Sequence, residues 1–227
     1  MQPISNLHQW DLSPAQAKQL QKTLAGQVRL QPMRKQPRCV AGLDCALNKA
    51  QTAIYAAAAV FSFPDLKPLE TAVARLPLVF PYVPGLLSFR EIPVYLEVIM
   101  KLQNPVDLFL IDGQGIAHPR RLGLASHLGL FLNTPTIGCA KSRLIGTFDT
   151  PPLLKGHFSW LYDGADKIGA VLRTRSGTKP LFVSPGHLCS FQDAVDYTLA
   201  CCTKYRLPEP ARLAHQAASN AKTSAAF

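Results

Sequence analysis

The chain contains no apolar run approaching the roughly 20 residues that a helix needs to cross a bilayer. No basic amphipathic helix stands out either, so a membrane role is the one its composition supports least. Its opening residues, MQPISNLHQWDLSPAQAKQ, hold no apolar h-region, so no secretory signal is expected and the expected location is the cytoplasm. Six cysteines are present without any C-x-x-C spacing; Cys201 and Cys202 are adjacent, and Cys39 and Cys139 sit in or beside apolar runs. That pattern predicts free thiols, with neither a disulfide framework nor a zinc site. G-x-S-x-G, H-E-x-x-H and Walker loops are absent. The G-x-G at 113–115 is not a dinucleotide fingerprint, because His118 takes the third glycine position and no acid follows about 20 residues on. There is no internal repeat and no low-complexity linker.

Acidic residues are also scarce. The 227 residues include 14 Asp and Glu against 24 Lys and Arg, a net charge of +10. Such an excess suits a polyanionic partner, nucleic acid before a membrane surface, although it also serves solubility alone. With 48% hydrophobic residues the chain can bury a sizeable core, and residues 1–227 are expected to form one α/β domain.

Ser13-Pro14 reads as an N-cap followed by Pro at the first helical position, opening a helix to about residue 30. A basic connector, MRKQPR, spans 33–38. Strands are expected at 40–43, 53–63 and 69–76, in the manner of an antiparallel meander. A helix then starts near 86 or 93 and runs to 102. The continuous apolar run 106–111 reads as a strand buried on both faces, followed by a helix at 121–131 and a strand at 136–140. Residues 148–166 read as loop, 167–174 and 180–183 as strands, and 190–205 as a helix. The Ala- and Ser-rich tail, 211–227, is expected to fray.

Against the shortage of acids, three stand out: Asp44 in AGLDCA, Glu91 in LLSFREIP and Asp112 in LFLIDGQG. Two of them follow apolar, strand-like runs. A meander plus a crossover strand sets the first and fourth strands side by side, the ribonuclease H-like order. That order brings Asp44 to Asp112 at the carboxyl edge of the sheet, where open α/β sheets bind ligands. Two unit charges about 4 Å apart repel by roughly 4 kcal/mol at an effective dielectric near 20, so carboxylates gathered there call for a cation such as Mg²⁺. Each acid also has a purely structural explanation. Asp44 and Asp112 suit turns, and Ser88-Phe89-Arg90-Glu91 spells a capping box, unless Pro93 marks the first turn and leaves Glu91 outside the helix.

Other segments complete the pattern. In PYVPG, two prolines hold Tyr82 and Val83 in a rigid turn, the form a base-separating wedge requires and equally that of a surface turn. GQGIAHPRR joins flexible backbone to His118, Arg120 and Arg121, candidates for phosphate contacts. Lys141 ends a neighbouring strand at the same edge and is placed to offset phosphate charge, or simply to be solvated. His187 and His215 have no ligand-like spacing.

Taken together, AGLDCA, FPYVPGLLSFRE, DLFLIDGQGIAHPRRLGLASHLGL, PTIGCAKSRL, SPGH and YRLPEPARLAH resemble the endonuclease V family, from about residue 14 to 216. The resemblance implies a ribonuclease H-like mixed sheet flanked by helices. It implies an enzyme dependent on Mg²⁺, with Mn²⁺ as substitute; the chain is separately expected to act as a monomer. The implied substrate is DNA containing deoxyinosine, nicked at the second phosphodiester bond 3′ to the lesion to leave a 5′-phosphate. Carried over by position, Asp44, Glu91 and Asp112 are metal ligands, His215 is a fourth metal neighbour and Lys141 lies by the scissile phosphate. Pro81, Tyr82, Val83 and Pro84 form the wedge. Leu87, Gly113 and Gly138 line the pocket for the flipped base. The segment Cys45 to Ala50 departs from the family's pattern. An endoribonuclease acting on inosine-containing RNA and a non-catalytic inosine-binding protein are the alternatives.

Overall fold

A computed structural model describes residues 4–224. Its frame is one eight-stranded sheet in the order β3-β2-β1-β4-β5-β8-β7-β6. The strands are β1 (Cys39–Leu47), β2 (Ala53–Ser62), β3 (Pro68–Pro77), β4 (Leu108–Ile111), β5 (Thr136–Ala140), β6 (Phe158–Asp163), β7 (Asp166–Leu172) and β8 (Leu181–His187). The helices are α1 (Pro14–Ala25), α2 (Leu87–Met100), α3 (Leu124–Leu132), α4 (Phe191–Ala200) and α5 (Glu209–Ser224). β1 to β3 form the expected antiparallel meander, and β1, β4 and β5 run parallel. This mixed sheet flanked by helices is the ribonuclease H-like arrangement.

Alternation along the central strands sorts side chains into two cores. Phe109 and Ile111 of β4 join Leu43, Ile92, Val98 and Leu128 beneath α2 and α3. Leu108 and Leu110 join Val40, Ile137, Ala194 and Ala214 beneath α4 and α5. A strand with helices on both faces has no polar side, so β4 reads as an unbroken apolar run.

Several expectations need correcting. The tail does not fray through residue 224: α5 is a 16-residue helix whose Ala211, Ala214 and Ala218 are buried, and the last three residues lie outside the described part. Small residues recur on one face there, which lets the helix lie close to the sheet. A Cβ at Gly42 of β1 would overlap the backbone of Pro210 and Ala211. The stretch 148–166 contains β6, paired antiparallel with β7. α1 stops at Ala25, short of residue 30, with Gly26 at its C-cap. Neither reading of Glu91's helix position holds. α2 begins at Leu87 with no side-chain cap, so Glu91 and Pro93 both lie inside it. Ser88 Oγ bonds to His127 Nδ1 instead, at 3.0 Å.

Candidate active site

Parallel pairing of β1 with β4 sets Leu43 opposite Ile111, so Asp44 and Asp112 follow at one edge of adjacent strands. The Asp112 backbone N–H donates to Leu43 O at 3.3 Å. Asp44 is buried; its Oδ1 accepts from Cys45 N at 2.8 Å and its Oδ2 meets His215 Nδ1 of α5 at 2.5 Å. Glu91 arrives from α2 on the other face, its Oε2 accepting from Tyr95 Oη at 3.3 Å. Lys141, just past β5, pairs its ammonium with Asp112 Oδ2. Arg206 from the RLPEP segment holds the Lys141 carbonyl through Nη2 at 2.9 Å.

The acids feel one another. Burial first, then the charge of Asp112, raises the pKa of Asp44. Burial pushes Glu91 up to about 8, with the Asp44 charge adding to the rise. Among the described residues, no three His, Cys, Asp or Glu side chains are drawn together as tightly as a metal cage requires. As placed, Asp112 turns to Lys141 and Asp44 to His215. The donor chemistry still fits a hard divalent cation. All three acids offer oxygen, and the desolvation and repulsion that raise Asp44 and Glu91 are what such a cation relieves.

Beside the acids lies a cavity of about 460 Å³ lined by Tyr82, Val83, Pro84, Leu87, Asp112, Gly113, Gln114 and Lys141, among others. Tyr82 is 70% exposed at its mouth, with the Arg90 guanidinium 5.9 Å from its ring centroid. Pro81 is exposed at the start of the same turn. Gly138 does not line the cavity. It sits beneath the 113–115 backbone, where a Cβ would strike Gly115 N and Gly113 O.

The three residues expected at phosphate are engaged elsewhere. His118 and Arg120 turn inward to Gly85 O, at 3.0 and 2.7 Å, and Gln21 Nε2 reaches the same carbonyl at 3.1 Å. Burial pushes His118 down to about 4, so it is neutral at pH 7. Arg121 pairs with Asp163 and Asp166 at 2.9 and 3.2 Å. Together His118, Arg120 and Gln21 brace the PYVPG turn, whose Gly85 takes φ +77°. Cys45 to Ala50 leads from the end of β1 into the β1–β2 turn, where Asn48 Oδ1 accepts from Thr52 N and Ala53 N at 2.8 and 3.0 Å.

Sequence reasoning missed Tyr95, Gln21 and Arg206. Tyr95 was within reach, since it stands four residues after Glu91 on one helix. Nothing in the sequence marks Gln21, whose partners lie 64 and 101 residues away.

The Endonuclease V family model matches residues 22–216. A relative named Endonuclease V from Alkalilimnicola ehrlichii is 51% identical over 217 residues, covering 95% of this chain and 96% of its own. The crystal structure of Endonuclease V from Streptomyces avermitilis superposes with a TM-score of 0.92 at 39% identity, over 99% of this chain and 100% of that one. Endonuclease V from Ciona intestinalis, solved with DNA containing an inosine followed by a ribo-adenosine, matches with a TM-score of 0.81 at 26% identity, over 92% and 98% of the two chains. A family match over most of the chain, on the same fold, identifies this protein as a member of the Endonuclease V family of nucleases.

Proposed function

We propose that this protein is a DNA repair endonuclease that recognises deoxyinosine and hydrolyses the second phosphodiester bond on its 3′ side, leaving 3′-hydroxyl and 5′-phosphate ends. The observation that carries the proposal is the approach of Asp44, Glu91 and Asp112, whose charges act on one another, beside a cavity roomy enough for a base under a rigid aromatic turn. Asp44, Glu91 and Asp112 would hold Mg²⁺, or Mn²⁺ in its place, with His215 orienting Asp44. The bound ion supplies Lewis acidity toward the phosphate and a nucleophile at neutral pH. Lys141 offsets the charge that develops on the phosphate oxygens. Arg206, by fixing the Lys141 carbonyl, keeps that ammonium at the edge of the site.

Tyr82, held by its flanking prolines, parts the duplex while the target base turns into the cavity. Unstacking costs a few kcal/mol and is cheapest at a weak inosine pair. Backbone N–H groups around Leu87 and Gly113 donate to the hypoxanthine carbonyl. Adenine would place an amine there and leave a buried donor unpaired, which is how the site rejects it.

A second reading is cleavage where the inosine is followed by a ribonucleotide, supported by the ribo-adenosine in the Ciona intestinalis complex. Both are tested with end-labelled duplexes carrying one deoxyinosine, with and without a ribonucleotide at its 3′ side, in Mg²⁺ and in EDTA. A Mg²⁺-dependent nick at the second 3′ bond of the all-DNA strand is expected. A nick only at the ribonucleotide would favour the RNA reading, and selective binding without any nick would overturn catalysis.

A further inference from the structure

A second cavity, about 820 Å³ and larger than the one beside Asp112, opens at the opposite edge of the sheet. It is framed by Arg29, Arg34, Lys35 and Arg38 from the segment between α1 and β1, with Asp107 and Asn133 on its far side. Asp107 and Asp112 flank β4, so five residues of extended chain, about 17 Å, separate the two sites.

Four cations there face one carboxylate, and that carboxylate is engaged. Asp107 Oδ2 accepts the backbone N–H groups of Arg38 and Cys39 at 2.8 and 3.0 Å. Arg29 Nη2 donates to Asn133 Oδ1 at 3.0 Å. Among the described residues, Arg34, Lys35 and Arg38 enter no ion pair, and all three are exposed. Like charges gathered around one concavity repel unless an anion bridges them. Among the described residues no aromatic side chain lines this cavity, so they offer a base nothing to stack on. Its chemistry suits phosphate and carries no means of reading sequence.

We propose that this edge is a second, sequence-independent nucleic-acid site that grips the phosphodiester backbone of a DNA segment other than the one being cut. The cations lie at the opposite end of β4 from Asp112, so a second segment can be gripped there while the first lies in the active site. Holding a second segment keeps the enzyme on DNA while the active site samples bases, and lets it pass between strands.

The test uses the full chain and an Arg34→Gln/Lys35→Gln/Arg38→Gln variant, whose melting temperature is checked against wild type. A lesion-free duplex is tethered to a surface, protein is added, and a second, labelled lesion-free duplex is offered in solution. Wild type should retain the label and the variant at least tenfold less, with retention falling steeply as salt rises. Cleavage of a short duplex carrying one deoxyinosine should stay within twofold. Equal retention by the two proteins, or none by wild type, overturns the proposal. So does a loss of short-duplex cleavage in step with retention, which would put these cations on the path of the cleaved strand.

Discussion

A single methyl group at Gly42 should loosen α5 from the sheet and draw His215, 173 residues further along the chain, away from Asp44. The added Cβ would overlap Pro210 C and O and Ala211 N, all backbone atoms that cannot rotate aside. Ordinary carbon contacts stand at about 3.5–4.0 Å, so the helix must retreat by more than about 1 Å. His215 rides on that helix with Nδ1 2.5 Å from Asp44 Oδ2, and the same retreat carries it beyond the roughly 3.2 Å limit of a useful hydrogen bond. Overpacking costs about 1–3 kcal/mol, and the lost bond adds little more because the imidazole is half exposed. A total near 1–4 kcal/mol should lower the melting temperature of a chain this long by about 2–16 °C. Gly26→Ala is the control. There φ is −67° and the new Cβ would meet Thr23 O at 3.7 Å, an ordinary contact. That change should be neutral or stabilise by about 0.4–1 kcal/mol. Thermal melts of both variants, with single-turnover cleavage of an inosine duplex below either melting temperature, decide the matter. Gly42→Ala melting with wild type, or both variants shifting alike, would refute the close-packing argument.

Asp44→Ala and Asp112→Ala should each lose about 10²-fold or more in cleavage while still binding an inosine duplex; Mg²⁺-supported cleavage in either would sink the metal-site assignment. Tyr82→Ala should lose more activity on duplex than on single strands, and equal losses would count against the wedge. Tyr95→Phe removes the hydroxyl that favours ionised Glu91, whose pKa already stands at about 8, so the rising limb of the pH–rate profile should move to higher pH by about one unit. An unmoved limb would mean that Glu91 does not limit activity. His127 is buried and held down to about 3, first by burial and then by His8, so between pH 6.5 and about 3 the unfolded chain binds the extra proton and stability falls on acidification. Denaturant melts should show about 2 kcal/mol lost between pH 7 and 5 on this account, a loss that His127→Gln should lack.

The sequence displayed the meander, the crossover and the three acids because each follows from a local pattern: apolar runs for β2 and β4, alternation for β3, a carboxylate at a strand end for Asp112. What escaped was set by packing between distant segments. β6 was passed over although FSWLYD alternates and Asp163-Gly164 is a hairpin turn signal. α5 read as a frayed tail because Ala and Ser carry little hydrophobic weight, yet its alanines recur at 211, 214 and 218 on one face. The phosphate roles expected for His118 and Arg120 rested on charge alone, and neither shows its partner in the sequence, since Gly85 lies 33 and 35 residues away.

The acids come from β1, α2 and the end of β4, and bringing them together requires backbones to approach more closely than side chains permit. At Gly42 the sheet admits the start of α5, which delivers His215 to Asp44. At Gly138 strand β5 admits the 113–115 loop that follows Asp112, and at Gly115 that loop presses on Ser184 and Pro185 of β8 while its N–H donates to Ser184 Oγ at 2.8 Å. The first contact holds His215 against Asp44 and the other two hold the loop behind Asp112, against a repulsion between Asp44 and Asp112 of a few kcal/mol that would otherwise spread them apart. The geometry of the charged residues therefore rests on positions that carry no chemistry of their own. For this reason a search for reactive side chains finds Asp44, Asp112 and Lys141 but passes over the glycines that hold them in register.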